Sequence, residues 1–489
     1  MIQKICLLFI MLIGIKNVIA QDRPGNLDLF FSTLSQTGQF NGNVLITENG
    51  NVVYEKSFGY ADFQNKINNT AQSSFPIASI TKTITSTAIL QLKQQGKLQI
   101  EDRVSKYLSD FPYPEVTIRQ LLSHTSGLPI YDTLFFPLIA KHPDTVFTNK
   151  DIIPACISQK IPLVFKPGED FSYNNVNYNI LALIVEKISG LSFGPYLQAN
   201  IFDPAGMTNT SLSKFLKRED KNLSKRYSFK YPYSDKVQLA DTVTEFLIAN
   251  RFNFQGHGDL ISTTHDLWKY DQALYNGSLL NSETLKEAFT PVRLSNGTHN
   301  IQRYALGWIT RQDTSMGKIV KHDGGSPGSR TMLLRNLTRH QSIILYDNTA
   351  NNVVPIADMA LKILNGETVE KPKKSGARYY GIALANHGKK AADQAVKKIK
   401  TETLNYYLSE DEMNSMGYAF LMNNRAADAE IAFRENTLLF PNSWNVYDSY
   451  GEVLLKHGKK KDAIKMYQKS MMLNPDNENG KKVLEQLLR

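Results

Sequence analysis

The spacing of apolar positions changes several times along the chain. Residues 41–60, NGNVLITENGNVVYEKSFGY, place two β-branched runs around Asn49-Gly50. Asn-Gly between such runs predicts a two-residue hairpin, because both turn positions need positive φ. From residue 78 the period becomes helical. In ASITKTITSTAILQLKQQG, Ile80, Ile84, Ala88 and Leu92 stand four apart and Gly96 closes the segment. That stripe predicts a buried helix over 79–96 with a glycine stop. VNYNILALIVEKISG, 176–190, predicts a second helix that also ends at a glycine. Strand-like runs return at 317–324 (GKIVKHDG), 329–336 (SRTMLLRN) and 340–348 (HQSIILYDN). Strands at both ends with helices between predict an α+β domain whose terminal strands share one antiparallel sheet.

After Leu364 the texture changes. NGETVEKPKKSG, 365–376, is polar and carries proline and glycine, which predicts a linker. Beyond it lies an internal repeat. Gly417, Ala429, Phe433 and Pro441 recur as Gly451, Ala463, Tyr467 and Pro475, each 34 residues later. That is the tetratricopeptide period. Small residues let paired helices approach, aromatics fill the gap, and prolines end each second helix. Ala383 and Ala395 mark a degenerate first repeat, and NGKKVLEQLL (479–488) reads as a capping helix. Residues 377–489 are therefore expected to form an all-α array whose concave face suits a peptide or protein partner, or the preceding domain itself; a stabilising appendage is the alternative.

Composition narrows the class. At 489 residues the chain is long enough for more than one domain. The formal net charge is +10, but only KPKK (371–374) and KHGKKK (456–461) are dense basic runs. Charge spread this thinly is a surface property and no nucleic-acid footprint. The chain opens MIQKICLLFIMLIGIKNVIAQDRPG. Lys4, the apolar run 5–15 and Val18-Ile19-Ala20 predict a signal peptide over residues 1–20, with Gln21 the mature start. The apolar run is too short to span a bilayer, so a secreted or periplasmic protein without a membrane span is expected. Cleavage removes Cys6 and leaves Cys156 alone, which excludes an internal disulfide. No His/Glu or Cys/His spacing predicts a metal, no glycine loop predicts a nucleotide, and no cofactor is expected.

The candidate chemistry starts at Ser79 and Lys82. Positions i and i+3 share a helix face. A desolvated lysine can act as a base near neutral pH and accept a proton from a serine. Ser-x-x-Lys also occurs at Ser211–Lys214 and Ser315–Lys318, where a solvated lysine is the simpler reading. A second motif, Tyr173-Asn174-Asn175, follows a Pro-Gly turn and precedes a predicted helix. Tyr173 could exchange a proton with the serine if nearby cations lowered its pKa, and Asn175 could bond the lysine and a substrate amide. A core tyrosine with a capping asparagine is the bland alternative. Tyr346-Asp347-Asn348 matches too, but without the preceding turn. The third motif is KHDGGSPG, 321–328. His322 is the one histidine followed by a glycine two positions on, and an edge strand would let it face a cleft. Gly324 would let substrate approach the backbone.

Taken in order, Ser-x-x-Lys, Tyr-x-Asn and His-x-Gly resemble the serine β-lactamase and penicillin-binding family. The branch is that of class C β-lactamases, D-Ala-D-Ala carboxypeptidases, D-aminopeptidases and related esterases. GKLQIEDRVSKYL (96–108), TIRQLLSHTSGLP (117–129), IFDPAGMTNTSL (201–212) and LISTTHDLWKYDQAL (260–274) match as well. The resemblance implies a β-lactamase/transpeptidase-like antiparallel sheet flanked by helices, with an all-helical subdomain, over 21–364. It implies a hydrolase acting through an acyl-enzyme on esters, D-amino-acid peptides or β-lactams. Ser79 would be the nucleophile, Lys82 its proton partner, Tyr173 the acid/base and Asn175 a substrate and lysine ligand. His322 stands where most β-lactamases carry lysine. The N–H groups of Ser79 and Gly325 would form the oxyanion hole, with Gly324 beside them. The alternative is a non-catalytic ligand sensor or scaffold that recruits a partner through the repeats.

Two tempting features are set aside. Adjacent Ser123 and His124 in SHTSG rarely face each other, so this reads as a structural loop. Gly324-Gly325-Ser326-Pro327-Gly328 fits the Gly-x-Ser-x-Gly elbow of α/β-hydrolases. That elbow needs an N–H after the serine, which Pro327 lacks, and a helix where SRTMLLRN reads as a strand.

Overall fold

The computed structural model describes residues 22–212, 221–240, 251–370 and 372–488. The expected signal peptide, Gln21 and Lys214 lie outside the described residues. Six strands form the central sheet: β1 Gly42–Glu48, β2 Asn51–Phe58, β3 Ile309–Asp313, β4 Gly317–Ser326, β5 Ser329–Asn336 and β6 Gln341–Asp347. They are ordered β3-β4-β5-β6-β1-β2. β1 pairs antiparallel with β6, Val44 opposite Leu345, so the two ends of the domain meet inside one sheet. The β1–β2 turn has Asn49 and Gly50 at φ 51° and 78°, the positive values that a primed hairpin turn needs.

Alternation along the strands divides the core in two. Leu45, Val320, Leu333 and Ile344 face a large core shared with α2 (Thr81–Gln94) and α3 (Asn175–Ser189). Val44, Ile46, Ile319, Met332, Leu334, Ile343 and Leu345 face a second core closed by α1 (Arg23–Gln36) and α5 (Val353–Leu364). The stripe Ile80, Ile84, Ala88 and Leu92 is fully buried. Each of its large side chains contributes about 1.5–3 kcal/mol of burial. On the large-core side α4 (Thr264–Tyr275) carries Asp271, which is buried against Arg335 of β5.

The structure corrects two local expectations. The helix over 79–96 starts late: Ala78–Ile80 is a 3-10 turn and α2 begins at Thr81. Ala78, at φ 44°, breaks the α path just upstream. β4 is also not an edge strand. It is second in the sheet, but β3 covers it only from Gly317 to Lys321, so His322 to Ser326 is open on that side.

The C-terminal region is helical: α6 Gly376–Thr401 (kinked at Gly388), α7 Glu410–Met422, α8 Ala426–Leu439, α9 Trp444–Lys456, α10 Lys460–Leu473 and α11 Glu478–Leu488. Starts and ends of α7 and α8 recur in α9 and α10 after 34 residues (410 to 444, 426 to 460). A Cβ on Gly417 would stand 2.7 Å from the Phe433 ring, and one on Gly451 2.8 Å from Tyr467. Glycine is therefore what allows each helix pair to close. The linker expectation needs amendment at its end, because Lys374–Ser375 pairs with Tyr406–Tyr407 and is held in place. A hairpin of the first region, Tyr227–Phe229 with Val237–Leu239, reaches into the helices. Tyr233 there stacks on Phe420 at 4.2 Å, and the Arg378 guanidinium lies 3.5 Å from the Phe229 ring centre.

Candidate active site

Ser79 occupies the middle of the 3-10 turn at the head of α2 and is half-buried. β4 pins the turn. A Cβ on Gly324 would stand 2.3 Å from the Ile77 carbonyl oxygen and from Thr331 Oγ1, and 3.1 Å from Ser79 N. Only glycine lets β4 run this close. Thr331 Oγ1 donates to the same Ile77 carbonyl at 3.0 Å. Gly325, the next residue on β4, is exposed.

Lys82 sits one turn on and has no exposed surface. Its Nζ is 3.0 Å from Ser79 Oγ and donates to the His257 carbonyl at 2.7 Å. Tyr173 stands just ahead of α3. Its hydroxyl is near enough to Ser79 to be influenced by it, and its ring centre is 4.8 Å from Lys82 Nζ. The three groups thus cluster around Ser79. Burial pushes the Lys82 ammonium well below its ordinary value, against the pull of Asp259 and Asp323. Burial drives the Tyr173 phenol the opposite way, up, with Ser79 offsetting part of it. The sequence-based condition for an easily ionised tyrosine, lowering by cations, is therefore reversed. The amine is the group prepared to take a proton, and the phenol the one prepared to keep its own.

Asn175 opens α3, and its Oδ1 is buried without a hydrogen-bond partner. The expected Asn175–Lys82 bond is not formed, because the His257 carbonyl takes that place. His322 lies on the open half of β4, 2 % exposed. Its Nε2 is 2.9 Å from Tyr304 Oη and its Nδ1 2.7 Å from the Asp323 carbonyl oxygen. A carbonyl only accepts, so Nδ1 carries the proton and Nε2 accepts from the tyrosine. Burial, then the charge of Lys82, push the imidazole down to about 4. Strand neighbours point to opposite faces, so Asp323 beside His322 is a poor partner for it on the strand pattern alone. Its carboxylate nevertheless acts on Lys82, Tyr173, Tyr304 and His322, although burial outweighs it at His322.

The SHTSG loop is structural in its serine and supportive in its histidine. Ser123 Oγ bonds Arg119 O and Thr125 Oγ1. His124 Nδ1 accepts from Asn174 N and Asn177 Nδ2, both at 3.1 Å, and its ring packs 4.3 Å from that of Tyr173. The second Tyr-x-Asn is buried at the end of β6, where Asn348 Nδ2 donates to Tyr60 O and Lys225 O. Sequence reasoning missed His257, Asp259 and Tyr304. For the first two, GHGD at 256–259 was a signal: an acid between glycines and the apolar LIS is poorly placed for solvent. Tyr304 left no signal.

The family model for β-lactamase matches residues 27–366, which is 340 of 489 residues and includes every group above. The chain belongs to the β-lactamase family. A penicillin-binding protein of Bacillus subtilis (strain 168) is 34% identical over 430 residues, covering 86% of this chain and 91% of its own length. Among solved structures, the octameric penicillin-binding protein homologue from Pyrococcus abyssi has a TM-score of 0.59 at 26% identity, over 74% of this chain and 81% of its own. D-amino acid amidase from Ochrobactrum anthropi SV3 shares the fold, with TM-score 0.57 and 21% identity over 70% and 98%. The β-lactamase-family region is a serine hydrolase by these relationships. Helices α6 to α11 lie beyond the family match.

Proposed function

We propose that the hydrolase acts through an acyl-enzyme on Ser79, with Lys82 as general base, and that it favours uncharged esters or short D-amino-acid peptides over β-lactams. The observation that carries this is the 3.0 Å contact between Ser79 Oγ and a fully buried Lys82 Nζ. The free amine takes the Ser79 proton as Oγ bonds the substrate carbonyl carbon. The N–H groups of Ser79 and Gly325 hold the oxyanion. As the intermediate collapses, the leaving group takes a proton from Tyr173, and the Lys82 ammonium beside that ring returns one to the phenolate. Water then attacks the ester carbonyl as Lys82 takes its proton, and Lys82 passes that proton to Ser79 Oγ as the acyl C–Oγ bond breaks and the acid leaves. The unpaired Asn175 Oδ1 suits a substrate N–H. Substrate preference rests on His322: a buried neutral imidazole offers no cation to a substrate carboxylate.

Residues 1–20 act as an export signal in this reading, and α6 to α11 are tetratricopeptide repeats presenting a surface to a protein partner. The test is kcat/KM for nitrocefin and for a p-nitrophenyl ester on wild type and His322→Lys. The ester should be the better substrate of the wild type, and His322→Lys should raise nitrocefin turnover relative to it. A wild type that prefers nitrocefin by orders of magnitude overturns the substrate preference.

A further inference from the structure

Proton transfer to Lys82 creates a cation in a fully buried place. Its hydrogen-bond partners, Ser79 Oγ and the His257 carbonyl, are neutral. A buried ammonium without a counter-charge is costly. The 256–259 loop carries a carboxylate next to this point. Asp259 is 5% exposed. Its Oδ1 accepts from Gly256 N at 2.7 Å, while Oδ2 is buried with no hydrogen-bond partner. The same loop supplies the carbonyl that Lys82 grips. Thr85 Oγ1 of α2 donates to Gly256 O at 2.6 Å, and Leu260 N reaches Thr81 Oγ1 at 3.4 Å, so the loop is tied to α2 on both sides. A Cβ on Gly258 would be 3.6 Å from Ala78, the residue before the nucleophile.

We propose that Asp259 is a positioning residue for the reaction, a fixed negative charge that stabilises the protonated Lys82 formed when Ser79 gives up its proton. This rests on the reading of Lys82 as the base of Ser79. Two carboxylates act on Lys82, Asp259 foremost and Asp323 of β4 second. The other titratable groups facing this point are His257 on the loop, Tyr131 beside it, Tyr178 on α3, Tyr173 and His124 near α3, and His322 on β4. Burial and Lys82 hold His257 neutral, and His124 and His322 are neutral as well. The carboxylates therefore supply the negative charge. Burial raises the Asp259 carboxyl to about 6, while the N–H groups of its own loop and then Lys82 favour the ionised form.

The experiment is the pH dependence of Ser79 phosphonylation by a fluorophosphonate, in the full chain, for wild type, Asp259→Asn and Asp259→Glu. Asparagine keeps the acceptor for Gly256 N–H and removes the charge. Without that charge the ammonium is less favoured, so the amine is free at lower pH. The acid-limb midpoint should fall by about one unit or more in Asp259→Asn and return towards wild type in Asp259→Glu. A merely structural role lowers the melting temperature or the active fraction without moving the midpoint. An unmoved or raised midpoint in Asp259→Asn, with wild type labelled at Ser79, overturns the role of Asp259 alone. Absence of wild-type labelling overturns the Ser79 reading instead. If Asp259→Asn does not fold, the reciprocal measurement decides. Coupling is mutual, so removing the cation in Lys82→Met must raise the Asp259 titration midpoint, read by carbon-13 carboxyl shift. An unchanged midpoint there overturns the proposal.

Discussion

Acid should destabilise this protein through its buried imidazoles, and His322 measures the effect. Its ring is 2 % exposed, with Nδ1–H given to the Asp323 carbonyl and Nε2 accepting from Tyr304. A second proton would bring an N–H against that hydroxyl and a cation near Lys82. The unfolded chain binds this proton at about 6.5, the folded one at about 4. The neutral-state stability is therefore complete above 6.5 and is lost as pH falls towards 4, at up to about 1.4 kcal/mol per pH unit. From pH 7 to pH 5 the loss through His322 alone is about 2 kcal/mol. His124, also held neutral by burial, adds to it in sign. Asp259 opposes it, because a carboxyl raised to about 6 is protonated in the fold first. His322→Gln retains one donor and one acceptor and removes the titration. Urea unfolding at pH 7 and pH 5, followed by tryptophan fluorescence, reads the difference. The loss between the two pH values should be about 2 kcal/mol smaller in His322→Gln than in wild type. Equal losses would refute the argument, since the imidazole would then charge as freely in the fold as outside it.

Two further substitutions test the packing. Asp271→Ala leaves Arg335, 1% exposed, without its carboxylate, and should cost about 3–5 kcal/mol in urea unfolding; a cost below about 1 kcal/mol would mean that the pair is solvated. Gly417→Ala removes a helix-weakening glycine, a gain of about 1 kcal/mol in open surroundings, yet its Cβ would stand 2.7 Å from Phe433. The melting temperature of the C-terminal helices should fall, and a rise would show that α7 and α8 are less closely packed.

Much of the fold was legible because its elements repeat simple periods. The Asn49-Gly50 hairpin, the 329–336 strand and the stripe on α2 are local patterns, and the structure places each within a few residues. The late start of α2 was not legible, because the turn at Ala78 packs against Gly324 and Gly258, which come from distant segments. The site followed the same division. The spacing of Ser79 and Lys82 encodes their contact, whereas the lysine's second partner lies 175 residues away in the chain. Asn175 was assigned that partnership from the motif, but a main-chain carbonyl filled it, and carbonyls leave no mark on a sequence. The Tyr304–His322 bond likewise joins a loop to a strand. Its consequence, a neutral imidazole, follows from burial that composition does not reveal.

The most direct test of the proposed chemistry is the intact mass of the protein after treatment with a fluorophosphonate, with peptide mapping, on wild type and Ser79→Ala. One adduct per chain on Ser79, absent from Ser79→Ala, is the result predicted by the 3.0 Å approach of Lys82 Nζ to Ser79 Oγ. An unlabelled wild type, or equal labelling of Ser79→Ala, would contradict it.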